Sequence, residues 1–304
     1  MKQRAQVRLL PDGQRLHLHD GPIDLIVEAF GGLREVEVAY RAACERFVTV
    51  LDELCGELSF LRQACSEESE WPRGAVARRM MAAVRPYAAE YFITPMAAVA
   101  GAVAEEILAA MVSNAELTRA YVNDGGDIAL HLSAGQTLVA GMVNLPDMKR
   151  PNRPSLLGTT TVCSTDPVRG IATSGWRGRS FSLGIADGVT VLADRAAAAD
   201  AAATIIANAV DLPGHPAIVR IPACEVSPDS DLGNRMVTQA VGELTAEEVG
   251  QALSAGAQTA DRLLRIGLIR SSALSLQGET RTVGILGQSR AIAKPVHERG
   301  LVHA

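Results

Sequence analysis

The 304-residue chain is 48% hydrophobic and 21% charged, proportions of a globular protein with a well-buried core rather than a disordered one. Its net charge of −5, from 29 basic and 34 acidic residues, forms no basic stripe, and aromatics make up only 4%, so a nucleic-acid partner is not expected. Five widely spaced cysteines without a CxxC pair indicate neither a disulfide framework nor a zinc site.

The opening MKQRAQVRLLPDGQ has charge but no continuous apolar core, so no signal peptide is expected. Val7, Leu9, Leu16 and Leu18 flank a turn at Pro11–Gly13 and predict a hairpin. A long amphipathic helix follows, with Val36, Tyr40, Ala43, Phe47, Leu51, Leu54, Leu58 and Leu61 at spacings of three and four. That stripe reads as core. A second helix is predicted over Ala75–Glu90, and Pro95 can open a third, Ala-rich helix to about Val112. The apolar run Tyr91–Ala104 is too short to span a bilayer and reads as a buried helix; no membrane partner is expected, and a cytoplasmic location fits best.

From Ala120 to Ala193 the pattern changes to short strands between glycine-rich turns: AYV, DIALHL, TLVAGMV, TTTV, GIATS, SFSLG and VTVLA. Asp194 offers an N-cap to a helix from Arg195 to Val210. Ser227–Asn234 reads as a polar excursion, and Thr245–Glu248 as a capping box opening a helix through Arg265. Strands near Ser271–Leu276 and Thr282–Leu286 close the pattern. Helices first and a mostly antiparallel sheet afterwards predict an α+β fold, as one domain over 1–304. Its parts are a hairpin and helices over 1–112, a sheet-rich ligand core over 113–210, and a C-terminal helix with strands over 211–304.

Three segments could carry chemistry. Asn123-Asp124-Gly125-Gly126-Asp127 reads either as an ordinary hairpin turn or as a place where a ligand approaches the backbone, with Asp127 or Asp124 accepting hydrogen bonds. Gly170–Arg179 offers Thr173, Ser174 and Gly175 beside Arg169, Arg177 and Arg179, which suits an anion such as phosphate, or else is a solvated strand end. Along an extended chain Arg177 and Arg179 would share one face. Asp200 and Thr204 lie four apart in an Ala-rich helix, so both oxygens share a face and could hold a hard cation, or simply face water. Outside these segments, His131 could approach from its strand, while His215, His297 and His303 stand in loop or tail contexts.

The order GGD, then TSG, then a strand, then Ala-Asp-x-x-x-Thr on a helix resembles the ApbE-like superfamily, whose characterised members are magnesium-dependent FAD:protein FMN transferases. The resemblance covers roughly Pro95 to Val210 and includes AVAGAVAEEIL, Ala98–Leu108, which looks like the helix after the family's Gly-Ile-Ala-Lys-Gly turn. It implies an ApbE-like α+β fold with magnesium on Asp200 and Thr204. It also implies a flavin-nucleotide pocket lined by Gly125, Gly126, Asp127, Thr173, Ser174 and Gly175, with Arg177 and Arg179 beside it. Ala100 stands where the family carries lysine. The interval WRGRSFSLGIADGVTVLA has no histidine, whereas the family places a His-x-x-Asp-Pro-x-Thr-Gly segment there.

The catalytic residues are therefore unassigned, and three readings follow. The chain binds FAD, a related nucleotide or another small anionic ligand, with magnesium as a candidate cofactor. Alternatively it is an active FMN transferase with rearranged residues, or a non-catalytic binding or assembly factor. A homodimer stays open.

Overall fold

β1 (Gln6–Leu9), β2 (Leu16–Asp20) and β3 (Ile23–Gly31) form an antiparallel meander, with Val7 opposite Leu18 and Leu18 opposite Leu25. Buried and half-buried residues alternate along β3, because successive side chains point to opposite faces of the sheet. The computed structural model describes residues 5–144, 155–284 and 301–303.

α1 (Leu33–Gly56) is the expected long helix and buries Ala39, Ala43, Phe47, Val50 and Leu54. The buried line is centred slightly off the predicted stripe, so Val36, Tyr40 and Leu51 pack at its margin. The helix stops at Gly56, and α2 (Leu58–Leu61) is a separate turn. α3 (Ala75–Val84) and a 3-10 turn at Arg85–Tyr87 replace the single helix expected to Glu90. Pro95 opens a 3-10 turn, Pro95–Ala98, that runs directly into α4 (Val99–Asn114). The combined run Pro95–Asn114 is long and apolar enough, by length and composition, to cross a membrane, and is longer than the sequence reading allowed. In this structure it supplies Ala102, Val103, Ala104, Ile107 and Met111 to the core.

β4 (Leu117–Asp124) and β5 (Asp127–Leu132) make a hairpin whose two connecting residues, Gly125 and Gly126, have φ of 63° and 118°. β6 (Thr137–Asn144) and β7 (Ser155–Cys163) form a second hairpin, and β8 (Gly170–Ser174) returns to pair with β5. β9 (Gly188–Ala193) precedes α5 (Ala196–Ala209). β10 (Ile218–Pro222), α6 (Ala223–Val226) and β11 (Met236–Val241) make an excursion, with β10 and β11 paired antiparallel. α7 (Ala246–Arg265) opens with the predicted capping box: Thr245 Oγ1 accepts from Glu248 N–H, and the Glu248 carboxylate accepts from Thr245 N–H. β12 (Ser271–Leu276) and β13 (Glu279–Gly284) follow, and β14 (Leu301–His303) lies parallel to β6.

The principal sheet among the described residues has nine strands in the order β1-β2-β3-β4-β5-β8-β9-β12-β13, every neighbouring pair antiparallel. With the helices it gives the expected α+β fold. One face carries Val27, Ala129, Ala172 and Val191 into the main core with α1, α4 and α5. The other carries Tyr121, Ile128, Leu130, Ile171 and Leu192 against Leu138, Ala140 and Val162 of the β6–β7 hairpin.

Two further local expectations are corrected. SFSLG is not a strand: residues 180–184 are irregular, Asn208 Oδ1 accepts from Leu183 N–H at 2.9 Å and from Ser182 Oγ at 3.2 Å, and Thr238 donates to the Ser182 and Gly184 carbonyls. Asp194 does not cap α5, because both its oxygens are held by Arg270 at 2.6 and 2.7 Å. The β10–β11 pair was not predicted.

Candidate functional site

Asp127 heads β5 and points to the helix-covered face, the same side as Ala129. Across the sheet, Thr173 of β8 donates its N–H to Asp127 Oδ1 at 3.2 Å. The Thr173 hydroxyl lies on the opposite face and pairs with Thr190 Oγ1 at 2.9 Å. Thr173 therefore offers the site its backbone, not its hydroxyl. Ser174, next along the strand, alternates back toward the face of Asp127.

Asp200 reaches the same place from the second turn of α5. Its Oδ2 accepts the Gly101 N–H at 3.1 Å, one of the amides left open at the start of α4. Such close contact depends on Gly101, because a Cβ there would lie 2.4 Å from the Ala196 carbonyl oxygen. The exchange is mutual. Glu105 of α4 accepts the Ala197 N–H at the start of α5 at 2.8 Å. Each helix thus lacks a cap from its own preceding residue and receives a carboxylate from the other. Thr204 lies one turn beyond Asp200 on the same face of α5 and is half-buried.

Asp124, at the end of β4, completes an acidic group with Asp127 and Asp200. Its carboxyl is pushed up to about 6, first by burial, against the pull of Arg179. Asp127 is raised well above the usual carboxylate range by burial, then by the charges of Asp200 and Asp124. Asp200 is raised as well, again chiefly by burial, while the amides of Gly101 and Ala100 oppose the shift. Solvent still touches Asp127 and Asp200, yet protein surrounds them closely enough for desolvation to lead. With Asp124 they form one close acidic group. Carboxylates that close cannot all ionise without a compensating charge.

The arginines are arranged differently from the expectation. β8 ends at Ser174, and the chain turns, with Gly178 N–H bonded to the Gly175 carbonyl at 3.1 Å and Trp176 N–H to that of Ala186 at 3.0 Å. Arg177 and Arg179 therefore do not share a strand face. Arg177 pairs with Asp187 at 3.1 Å and lies over the Trp176 ring. Arg179 reaches Asp124 at 3.4 Å, passing over Gly125, where a Cβ would lie 1.8 Å from its guanidinium. Its side chain is 62% exposed. Arg169 is withdrawn: its guanidinium donates to the carbonyls of Ser164, Asp166 and Val168.

Of the remaining candidates, His131 Nε2 lies 3.1 Å from the Leu117 carbonyl and His215 pairs with Glu248 at 2.9 Å. His297 and the His303 side chain lie outside the described residues. Among the described residues no three His, Cys, Asp or Glu side chains are already arranged as a metal cage. Asp127 and Asp200, with Thr204 one turn further along α5, are the residues whose oxygens could hold a hard cation that keeps waters.

Glu105 and the exchange of helix ends were not read from the sequence. The available signal was a pair of acidic residues, Glu105 and Glu106, inside an apolar helix. Glu106 is bound by Arg46 at 2.8 Å and Arg79 at 2.9 Å, while Glu105 keeps Oε2 on Arg79 at 3.2 Å and gives Oε1 to α5.

A sequence model of the ApbE-like family described as "AbpE bacteria" matches residues 7–282. The chain belongs to this family. It is 39% identical over 135 residues to the UPF0280 protein of Methanopyrus kandleri, covering 44% of this chain and 48% of that one. To the UPF0280 protein of Methanothrix thermoacetophila it is 40% identical over 123 residues, 40% of this chain and 47% of the relative. To that of Methanocella arvoryzae it is 34% identical over 158 residues, 49% and 56%. The matches span about half the length of these relatives, whose names state no reaction.

Proposed function

We propose that this ApbE-like chain binds a small anionic ligand, with a flavin nucleotide such as FAD the leading candidate, over the floor made by Asp124, Asp127 and Asp200. The observation that carries the reading is the meeting of Asp127 and Asp200, from a hairpin end and a helix face, with proton affinities raised by burial and by crowded charge. Such a group next to an exposed arginine is a functional-site signature. Asp127, Asp200 and Thr204 would hold magnesium. Bound there, magnesium supplies the positive charge that lets phosphate oxygens approach a carboxylate floor. The amide of Thr173 and the carbonyl-bound turn after Gly175 keep the floor rigid, and Arg179 stands at its rim.

A specific observation favours a second reading. Asp200 already closes the start of α4, so the acidic group also serves the architecture of a non-catalytic binding factor. Mass spectrometry of small molecules that copurify, followed by calorimetric titration with FAD, FMN and ADP with and without magnesium, tests the first reading. Saturable binding that needs magnesium and weakens in Asp127→Asn supports it. Absence of binding by all three nucleotides overturns it in favour of the second.

A further inference from the structure

The polar excursion between β10 and β11 is not used by the site above, and it walls a separate recess of about 560 Å³. Phe92, Leu183, Leu232 and Met236 supply apolar lining, and Met236 is 47% exposed although large and hydrophobic. Asp231, Asn234 and Arg235 supply the polar groups. The recess is broad and open, so a ligand there keeps one face in water and rests on an apolar wall with a few fixed polar groups.

Arg235 is the distinctive member. Its guanidinium carbon lies over the Phe92 ring, 3.4 Å from the centroid. Stacking of this kind fixes the plane of the fork while leaving its edge N–H groups open. No ion pair or hydrogen bond engages that guanidinium among the described residues. The nearest acidic lining residue, Asp231, is instead turned to Thr94, whose hydroxyl donates to Asp231 Oδ2 and which is 2% exposed. Thr94 thus holds one Asp231 oxygen, and among the described residues Arg235 forms no ion pair with that carboxylate.

The wall is also rigid. Ala223 N–H donates to the Arg235 carbonyl and Cys224 N–H to that of Gly233, both at 2.9 Å, and Arg235 N–H closes onto the Leu232 carbonyl at 3.1 Å. Leu232 N–H is held by Ser230 Oγ at 3.2 Å. Rigid placement of both walls lowers the ordering cost of binding.

We infer that this recess is a second binding site, for a small organic acid whose carboxylate or phosphate meets the Arg235 fork and whose apolar body lies on Met236 and Leu183. The site does not depend on the acidic floor or on magnesium.

Phenyl phosphate, benzoate and inorganic phosphate are the probes, titrated into the full chain without metal and followed by saturation-transfer NMR and calorimetry. Phenyl phosphate or benzoate should bind saturably below ~10 mM, and whichever binds more tightly identifies the anionic group. Arg235→Ala should weaken that binding about tenfold or more, with an unchanged melting temperature showing that the fold is intact. Arg265→Ala, at an exposed position on α7, should leave it unchanged and so controls for net charge. Inorganic phosphate should bind about tenfold more weakly than phenyl phosphate, since it has no apolar body. No saturable binding of either aryl probe, equal binding by Arg235→Ala, or equal affinity for inorganic phosphate overturns the assignment.

Discussion

Asp200 and Glu105 close each other's helices: Asp200 of α5 takes the Gly101 N–H of α4 at 3.1 Å, and Glu105 of α4 takes the Ala197 N–H of α5 at 2.8 Å. Neither contact is local in sequence, so both report on how the two helices dock. Glu105→Ala should lower stability by about 1–2 kcal/mol, the range for loss of a helix cap, and denaturant midpoints measure it. Asp200→Asn keeps an oxygen that can accept from Gly101 and should cost much less than Asp200→Ala. Equal losses in the two Asp200 variants would exclude the capping role.

The buried carboxylates should make stability fall as pH rises from about 4.5 to 7.5, above the range where Asp12 and Glu248, both held low, act in the opposite sense. In the folded chain Asp124 holds its proton up to about pH 6, whereas unfolded it releases it near 3.8. Protonation therefore favours the folded state, a contribution complete below about pH 4 and lost as pH rises through 6. Asp127 and Asp200 are shifted in the same direction and extend the loss upward. For nearly buried Asp124 the effect is of order 2–3 kcal/mol. Urea unfolding at pH 4.5 and 7.5 reads it, and Asp124→Asn should flatten the difference.

Magnesium should act with the opposite pH dependence. A cation on the floor stabilises the ionised carboxylates, so millimolar magnesium should raise the melting temperature more at pH 8 than at pH 5. Asp127→Asn should remove most of that increment. An equal rise at both pH values, or in the variant, would show nonspecific ionic strength instead.

The arginines should separate by substitution. Arg177→Ala strips Asp187 of its ion pair and should cost about 0–1 kcal/mol of stability. Arg179→Ala, which also removes an ion pair from Asp124 and so should cost a similar ~0–1 kcal/mol, should in addition weaken an anionic nucleotide about tenfold or more. Parallel calorimetry and thermal melts distinguish the two.

Gly125→Ala should reduce stability by about 1–2 kcal/mol, because φ of 63° is costly for any residue with a Cβ. The new methyl also meets Arg179 and must displace it from Asp124. The Asp124 carboxyl should then titrate higher still, which NMR titration of its side-chain carboxyl reads directly.

Much of the fold was legible because it rests on local rules. The β1–β2 hairpin, the Gly125–Gly126 hairpin and the Thr245–Glu248 capping box each depend on residues a few positions apart, and the structure contains all three. The same rules misled where a distant partner outbid the local one. Asp194 has the chemistry of an N-cap, but Arg270 offers both its oxygens a charged fork. SFSLG has strand-like residues, but Asn208 takes the Leu183 N–H and the Ser182 hydroxyl, and Thr238 of β11 bonds it at a single residue rather than through a ladder.

The sequence by itself determined the α+β class, the main helices and the order of the polar segments, since periodicity and turn chemistry are properties of short stretches. Only the tertiary structure decided that Asp124, Asp127 and Asp200 share one floor, that the Thr173 hydroxyl faces away from it, and that Arg169 is spent on carbonyls. These facts depend on which sheet face a residue takes and on how closely α4 and α5 approach. That approach is fixed by the absence of a Cβ at Gly101, a contact with Ala196 that sequence spacing does not encode.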